Sequence, residues 1–450
     1  VTSFKQSFKQ LLKLALPIIA TQFSQMAMGV ADTVMSGRAS TEDLAAVAIG
    51  TGIWIPIFLF MAGLLTAITP MVAQLNGEKN HLQIGHIIRQ SLWLAISLGI
   101  AAFVALQSIE PLLALMQVQM DIRPIIVAYI KAVSWGIPGI AFFLVLRFLN
   151  EGMANTVPIM LVGLSGLLIN VLINYLLIFG NWGFPAMGGV GAGWATAISQ
   201  WLMLIMLLGY VLRSSFFAPL DLFKNDLKPA LLELKQLINL GTPIAIAFFV
   251  EGSIFSVIAL VIASLGTVIV ASHQIALNVS SLLFIVPLSI SMGITILVAH
   301  ARGTQNDREL IATIKTGYLI NISLAIVTAA IILSNASVIA QLYSKNPQVI
   351  QLASQLMIFA ALYQLSDAIH LCSGGALRGL KDTAVPMLLS IISFWLIGFP
   401  LGYLLGLTDV LMESLGAVGF WIGLLIGLTI SAILLTTRLY FQMKKQRILT

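Results

Sequence analysis

Gly241-Thr-Pro-Ile-Ala-Ile-Ala-Phe-Phe-Val-Glu251-Gly-Ser-Ile-Phe255 decides how the rest of the chain is read. It opens a run that stays apolar almost to Ser264, yet a carboxylate stands about a third of the way along it. An insertion scale puts an acid at bilayer mid-depth at roughly 2.5–3.5 kcal/mol. Such a group persists only where a cation, a proton or water meets it. The remainder of the chain reads as a scaffold that places Glu251 and a few other polar groups inside a membrane.

Composition supports that reading. Of 450 residues, 59% are hydrophobic and only 9% charged, with a mean hydropathy of +1.01; a soluble globular chain carries about 25% charged residues. Apolar windows of about 20 residues, enough to span a bilayer, recur from end to end. The fold class is therefore an all-α, polytopic membrane protein. A β-barrel would instead show alternating segments of about ten residues. The lone Cys372 allows no internal disulfide and argues against a thiolate metal site. There is no Gly-x-x-x-x-Gly-Lys-Ser/Thr phosphate loop and no soluble domain able to hold a nucleotide, so transport energy must come from an ion gradient. One charge crossing 100 mV is worth roughly 2.3 kcal/mol. No nucleophile–base–acid set lies at compatible depths, so neither an enzyme nor a cofactor is expected.

Breaking the hydropathy at charge and Gly/Pro/Asn clusters gives twelve spans: 11–37, 45–75, 91–109, 125–149, 157–179, 189–212, 237–264, 270–301, 311–333, 349–372, 384–407 and 415–440. The first follows Lys5, Lys9 and Lys13 and lacks a persuasive cleavage site, so it reads as an uncleaved span and not a signal peptide. A charged link over 213–235 divides the chain into a lobe of residues 1–223 and a lobe of residues 224–450. The lobes look like copies. Pro17 matches Pro243, Ala45-Ala-Val-Ala-Ile49 matches Ala271-Ser-His-Gln-Ile275, and Gly77 matches Gly303. Gly152 and Thr156 match Gly379 and Thr383, and Trp194 matches Trp421, the offset holding at 226–227. Six spans per copy predicts parallel repeats, two six-helix bundles related by a pseudo-two-fold axis along the membrane normal, with the transport cavity between them.

Basic residues set the orientation. With both termini cytoplasmic, nineteen of the twenty-three Lys and Arg lie inside, and only Arg38, Arg123, Lys131 and Lys345 lie outside. The formal charge of +6 thus reflects membrane orientation and not a nucleic-acid partner.

Only Asp32, Glu251 and Asp367 of the seventeen acids sit well inside apolar spans, and no basic residue is expected at comparable depth to neutralise them. Intramembrane acids mark functional sites by default. Tyr363 and Asp367, spaced i to i+4, share a helical face. Two carboxylates and a phenol oxygen suit a small hard cation such as Na⁺, by analogy with other oxygen-coordinated ions. Equally, low dielectric disfavours the charged carboxylate, so a proton is the other candidate ligand. Asn170, Asn174 and Thr196 are placed to hydrogen-bond Asp32, although membrane asparagines also simply join helices. Gln274 and Asn278 share one face of the eighth span, with His273 pointing elsewhere. Met26, Phe248, Phe255 and Met292 are candidates for an adaptable apolar substrate cavity.

These residues resemble the multidrug and toxic compound extrusion (MATE) family, and within it the bacterial NorM branch. The likeness rests on Pro17, Met-Gly-x-x-Asp-Thr-Val-Met-Ser-Gly37, Leu-Ala-Ala-Val-Ala-Ile-Gly50, Ile-Trp-Ile-Pro56 and Val-Ala-Gln-Leu-Asn-Gly77. It continues through Phe-Phe-Val-Glu251, Ala-Ser-His-Gln-Ile-Ala-Leu-Asn278, Leu-Arg-Gly-Leu-Lys-Asp-Thr383 and Gly-Phe-Trp-Ile-Gly423. The resemblance implies a monomeric inner-membrane antiporter that exports cationic amphipathic drugs and dyes in exchange for Na⁺ or H⁺. It implies a C-lobe cation site of Glu251, Tyr363 and Asp367, with Na⁺ held at Glu251 and Asp367. It also implies an N-lobe coupling site at Asp32 with Asn170, Asn174 and Thr196; an aspartate replaces Asn174 in some relatives. Since Glu251, Tyr363 and Asp367 are all present, Na⁺ is favoured over H⁺. A flippase for a lipid-linked sugar would want clustered Arg and Lys for its pyrophosphate, and an ion channel a narrow polar filter.

Overall fold

The computed structural model describes residues 4–116, 120–222, 228–410, 412–446 and 448. Among these the regular structure is entirely helical, as a bilayer that offers the backbone no hydrogen-bond partner demands. The first half of the sequence forms α1 (Phe4–Ala39), α2 (Thr41–Leu65), α3 (Ile68–Gly77), α4 (His81–Gln107) and α5 (Glu110–Leu115). It continues with α6 (Arg123–Ser134), α7 (Ile137–Gly152), α8 (Val157–Phe179) and α9 (Gly189–Arg213). The second half forms α10 (Leu231–Ile262), α11 (Thr267–Gly303), α12 (Asp307–Tyr343) and α13 (Pro347–Gly379). It ends with α14 (Ala384–Ile391), α15 (Phe399–Leu407) and α16 (Ala417–Lys445), a π-helical segment, Ile392–Gly398, joining α14 to α15.

Eleven of these segments are long and apolar enough to cross a bilayer, and α6 with α7, bent by 42°, makes a twelfth. The bend divides the single span expected over 125–149. Pro138, in the first turn of α7, brings no amide hydrogen to the helical ladder.

The two halves repeat each other's local solutions. Lys79 and Gln305 both adopt the left-handed conformation, with φ of 58° and 55°. Each is followed by an asparagine whose side chain caps the next helix, Asn80 accepting from Gln83 N at 3.3 Å and Asn306 from Glu309 N at 3.2 Å. Ala154 and Lys381 form a second left-handed pair, at 56° and 59°. Gly152 packs on Val72 and the Thr69 carbonyl, and Gly379 packs in the same way on Val298 and the Thr295 carbonyl. A β-carbon at either glycine would collide with those atoms.

Each packing unit draws on both of the halves expected from the sequence, 1–223 and 224–450. The boundary expected there lies outside the described residues, and the packing units divide at other places. One unit is Leu16–Ala245; the other combines the chain from Ile246 onward with the segment ending at Ala15. The reason is the length of α1 and α10, 36 and 32 residues, each a continuous rod that serves both units. Leu11 is fully buried, and a β-carbon added at Gly293 of the second unit would collide with it. Its repeat mate Leu237 is fully buried in the core of the first unit, where Gly241 lies against the Leu64 carbonyl. Pro17 and Pro243 stand beside the two crossover points.

Candidate functional site

In the unit built from the second half, α10 carries Glu251 two turns beyond Pro243. One carboxylate oxygen, Oε1, accepts from Ser390 Oγ at 3.0 Å and faces His370 Nε2 at 3.4 Å. The Glu251 side chain is 26% exposed. Asp367 is 3% exposed and its Oδ2 is buried with no hydrogen-bond partner. Tyr363 lies one turn before Asp367 on α13 and packs edge-on against Phe255, with 6.4 Å between ring centres. Asp367 stands within electrostatic range of Glu251. The three residues expected to cluster, Glu251, Tyr363 and Asp367, are therefore brought together within one unit.

The structure corrects one expectation here: a basic side chain does meet one of these acids. His370, one turn beyond Asp367, faces Glu251 as described. Arg378 donates from Nη2 to Ser291 Oγ at 2.9 Å and lies 5.9 Å above the Phe248 ring, within range of the Glu251 charge. His370 was legible in principle, because its i+3 spacing from Asp367 puts both on one side of α13. Ser390, on the next helix, α14, carried no such signal.

In the unit Leu16–Ala245, Asp32 is 7% exposed. Asn174 Nδ2 donates to its Oδ1 at 2.6 Å, and Thr196 Oγ1 donates to its Oδ2 at 2.7 Å. Asn174 Nδ2 also donates to Asn170 Oδ1 at 3.1 Å. Asn170 Nδ2 and Asn174 Oδ1 remain buried without partners. All four residues expected to meet do meet, drawn from α1, α8 and α9. Among the described residues no cationic side chain pairs with Asp32 or Asp367.

A further buried acid was not anticipated. Glu151, 1% exposed, accepts from Arg147 Nε at 2.8 Å within α7. Arg147 also donates to Gln22 Oε1 at 3.0 Å and Gln25 Oε1 at 3.3 Å of α1. The span expected over 125–149 ends between these two charges; the structure makes them a buried, internally compensated pair.

The candidate cavity residues divide. Gln274 and Asn278 are exposed and joined by a hydrogen bond of 3.4 Å, while His273 is buried and accepts from Trp421 Nε1 at 3.2 Å. Phe248, Phe255 and Met292 in one unit, and Met26 in the other, are half-buried. Half-burial leaves each with surface available to a ligand.

The MatE family profile matches this chain twice, over residues 17–176 and 243–404, and the two matches start at the paired prolines. The multidrug resistance protein MdtK of Yersinia pseudotuberculosis serotype O:1b (strain IP 31758) is 44% identical over 442 residues, 97% of this chain and 96% of that protein. MdtK of Yersinia enterocolitica serotype O:8 is 44% identical over 441 residues, with the same coverage. Among solved structures, the eukaryotic MATE transporter AtDTX14 superposes with a TM-score of 0.88 at 21% identity, covering 99% of this chain and 100% of that one. An outward-facing MATE family transporter of the MOP superfamily gives 0.88 at 20% identity, covering 97% of each chain. The fold is theirs, and with the duplicated profile and the 44% identity across nearly the whole length, the chain belongs to the MATE family.

Proposed function

We propose that this chain is a multidrug efflux antiporter that exports cationic, amphipathic compounds in exchange for Na⁺ by alternating access. The observation that carries the reading is the pairing state of the buried acids. Asp32 is held by neutral donors and Asp367 keeps a buried oxygen without a partner. A negative group left in that state inside a bilayer attracts a mobile cation. The names of the MdtK relatives support multidrug substrates. In this reading Na⁺ is cargo, held between Glu251 and Asp367 with Tyr363 beside it. An organic cation and Na⁺ compete for the same negative charge, so loading one releases the other. In this reading the chain works as a NorM-like monomer in the inner membrane, and the concentration of basic residues on one side supports cytoplasmic termini.

Proton coupling is the second reading, and Asp32 favours it. Both its oxygens already hold donors at 2.6 and 2.7 Å, which suits a single added proton better than a full ion shell. Efflux of a fluorescent organic cation from proteoliposomes, with Na⁺ and pH gradients imposed separately, tests both. A Na⁺ gradient alone should drive efflux, Glu251→Gln should abolish it at normal expression, and Asp367→Asn should weaken its Na⁺ dependence. Efflux driven by a pH gradient and indifferent to Na⁺ would transfer the coupling to protons; normal efflux by Glu251→Gln would remove Glu251 from the mechanism.

A further inference from the structure

His370 touches the proposed cation site without belonging to the set of residues that holds the ion. Its ring is fixed from three sides. Nε2 faces Glu251 Oε1 at 3.4 Å, Nδ1 lies 3.0 Å from Ser431 Oγ, and Phe394 packs edge-on at 6.0 Å between ring centres. The tautomer follows from chemistry. A carboxylate only accepts hydrogen bonds, so the neutral imidazole carries its hydrogen on Nε2 and Nδ1 accepts from the Ser431 hydroxyl. Ser390 donates to the same carboxylate oxygen. Oε1 of Glu251 is therefore occupied twice by the protein. Oε2 takes neither of these donors. The wall behind the site is built for this arrangement. Phe394 stands in the π-helical segment Ile392–Gly398, and Trp395 of the same segment donates from Nε1 to the Val250 carbonyl at 3.2 Å, next to Glu251 in sequence. Single π turns inside membrane or soluble helices concentrate at functional sites.

We infer that His370 is a positioning residue that, with Ser390 and Ser431, fixes the Glu251 carboxylate so that Oε2 alone receives the inorganic cation, and that it thereby sets the affinity for that ion. This rests on the Na⁺ reading above. The phenylalanine Phe143 occupies the repeat-related position of the first half, and Gln25 that of Glu251, so carboxylate and imidazole occur together in only one copy.

Binding of radiolabelled Na⁺ to the purified full-length chain tests it, alongside Na⁺-driven efflux in proteoliposomes. Removing a hydrogen-bonding partner behind a metal ligand costs about 10–100-fold in affinity. His370→Leu should raise the Na⁺ concentration for half-saturation by about tenfold or more, with little change in maximal efflux at saturating Na⁺. His370→Gln, which keeps an N–H donor, should recover most of that loss, and Ser431→Ala should fall between the two. A merely structural histidine would lower maximal rate or yield and leave the half-saturating Na⁺ unchanged. If wild type binds Na⁺, Glu251→Gln does not, and His370→Leu binds as wild type does, the inference fails and the Na⁺ reading stands. A wild-type chain that binds no Na⁺ sinks both.

Discussion

At the scale of single residues, the two repeats share a scaffold but not their charges. Glu251 falls on Gln25 of the first copy, Asp32 on Ile258 of the second, and Asp367 on Ile140. The second copy brings Asp367 near the partly exposed Glu251; the first surrounds one acid with neutral donors and locks another to Arg147. That lock invites a direct test. Removing one partner of a buried ion pair leaves the other charge stranded and costs about 3–5 kcal/mol, whereas replacing both by apolar groups is often neutral. Glu151→Gln should therefore lower the melting temperature in detergent and reduce membrane yield, and Arg147→Met with Glu151→Leu should restore both. A double variant as unstable as the single one would show that Gln22 and Gln25 need the guanidinium. The sequence made Asp32, Glu251 and Asp367 legible because an acid in an apolar run has no bland explanation. It hid Arg147 and Glu151 because charges one turn from a span's end normally reach water.

At the scale of elements, the existence of the spans was legible, since length and hydropathy leave few alternatives in a bilayer. The start of α4 and the end of α12 nonetheless lie about ten residues beyond the expected spans 91–109 and 311–333, because a helix continues past its apolar stretch. The break between α6 and α7 and the π segment between α14 and α15 were not legible. Both leave hydropathy unchanged and alter only the backbone ladder. The close packing of the last spans belongs to the same class. A β-carbon at Gly423 would drive into the Gly398 carbonyl and the Gly402 backbone, and one at Gly419 into Leu405 and Gly406. In a bilayer, association comes from close backbone contact more than from excluding water. Gly423→Val should separate α16 from α15 and the π segment, with loss of monodisperse protein on gel filtration. Gly209→Ala, whose added carbon meets nothing within 4 Å, should be neutral or stabilising by up to about 1 kcal/mol. Equal behaviour of the two variants would mean that the glycine contacts contribute nothing to packing.

At the scale of the whole molecule, duplication was legible but its consequence for packing was not. Matching motifs reveal that two copies exist; they cannot show that each copy completes itself with the other's opening segment. Leu11 and Leu237 are repeat mates, each fully buried, each in the unit formed mainly by the opposite half. A half-chain ending in the 213–235 link would have α1 start in the wrong unit and would lack the segment carrying Leu237. The other half would lack Leu11, exposing Gly293 and Gly317 to whatever fills the space. Neither half should then accumulate as a stable membrane protein when expressed alone. Expressed together from two genes they should assemble, co-purify through a tag on either, and recover Na⁺-dependent efflux. Leu11→Ala in the first half should weaken that co-purification, as Leu237→Ala in the second half should, because each opens a cavity where a buried leucine stood. Halves that are separately stable would instead mean that the exchanged segments are passengers, and that each bundle holds its own fold from Leu16 or Ile246 onward.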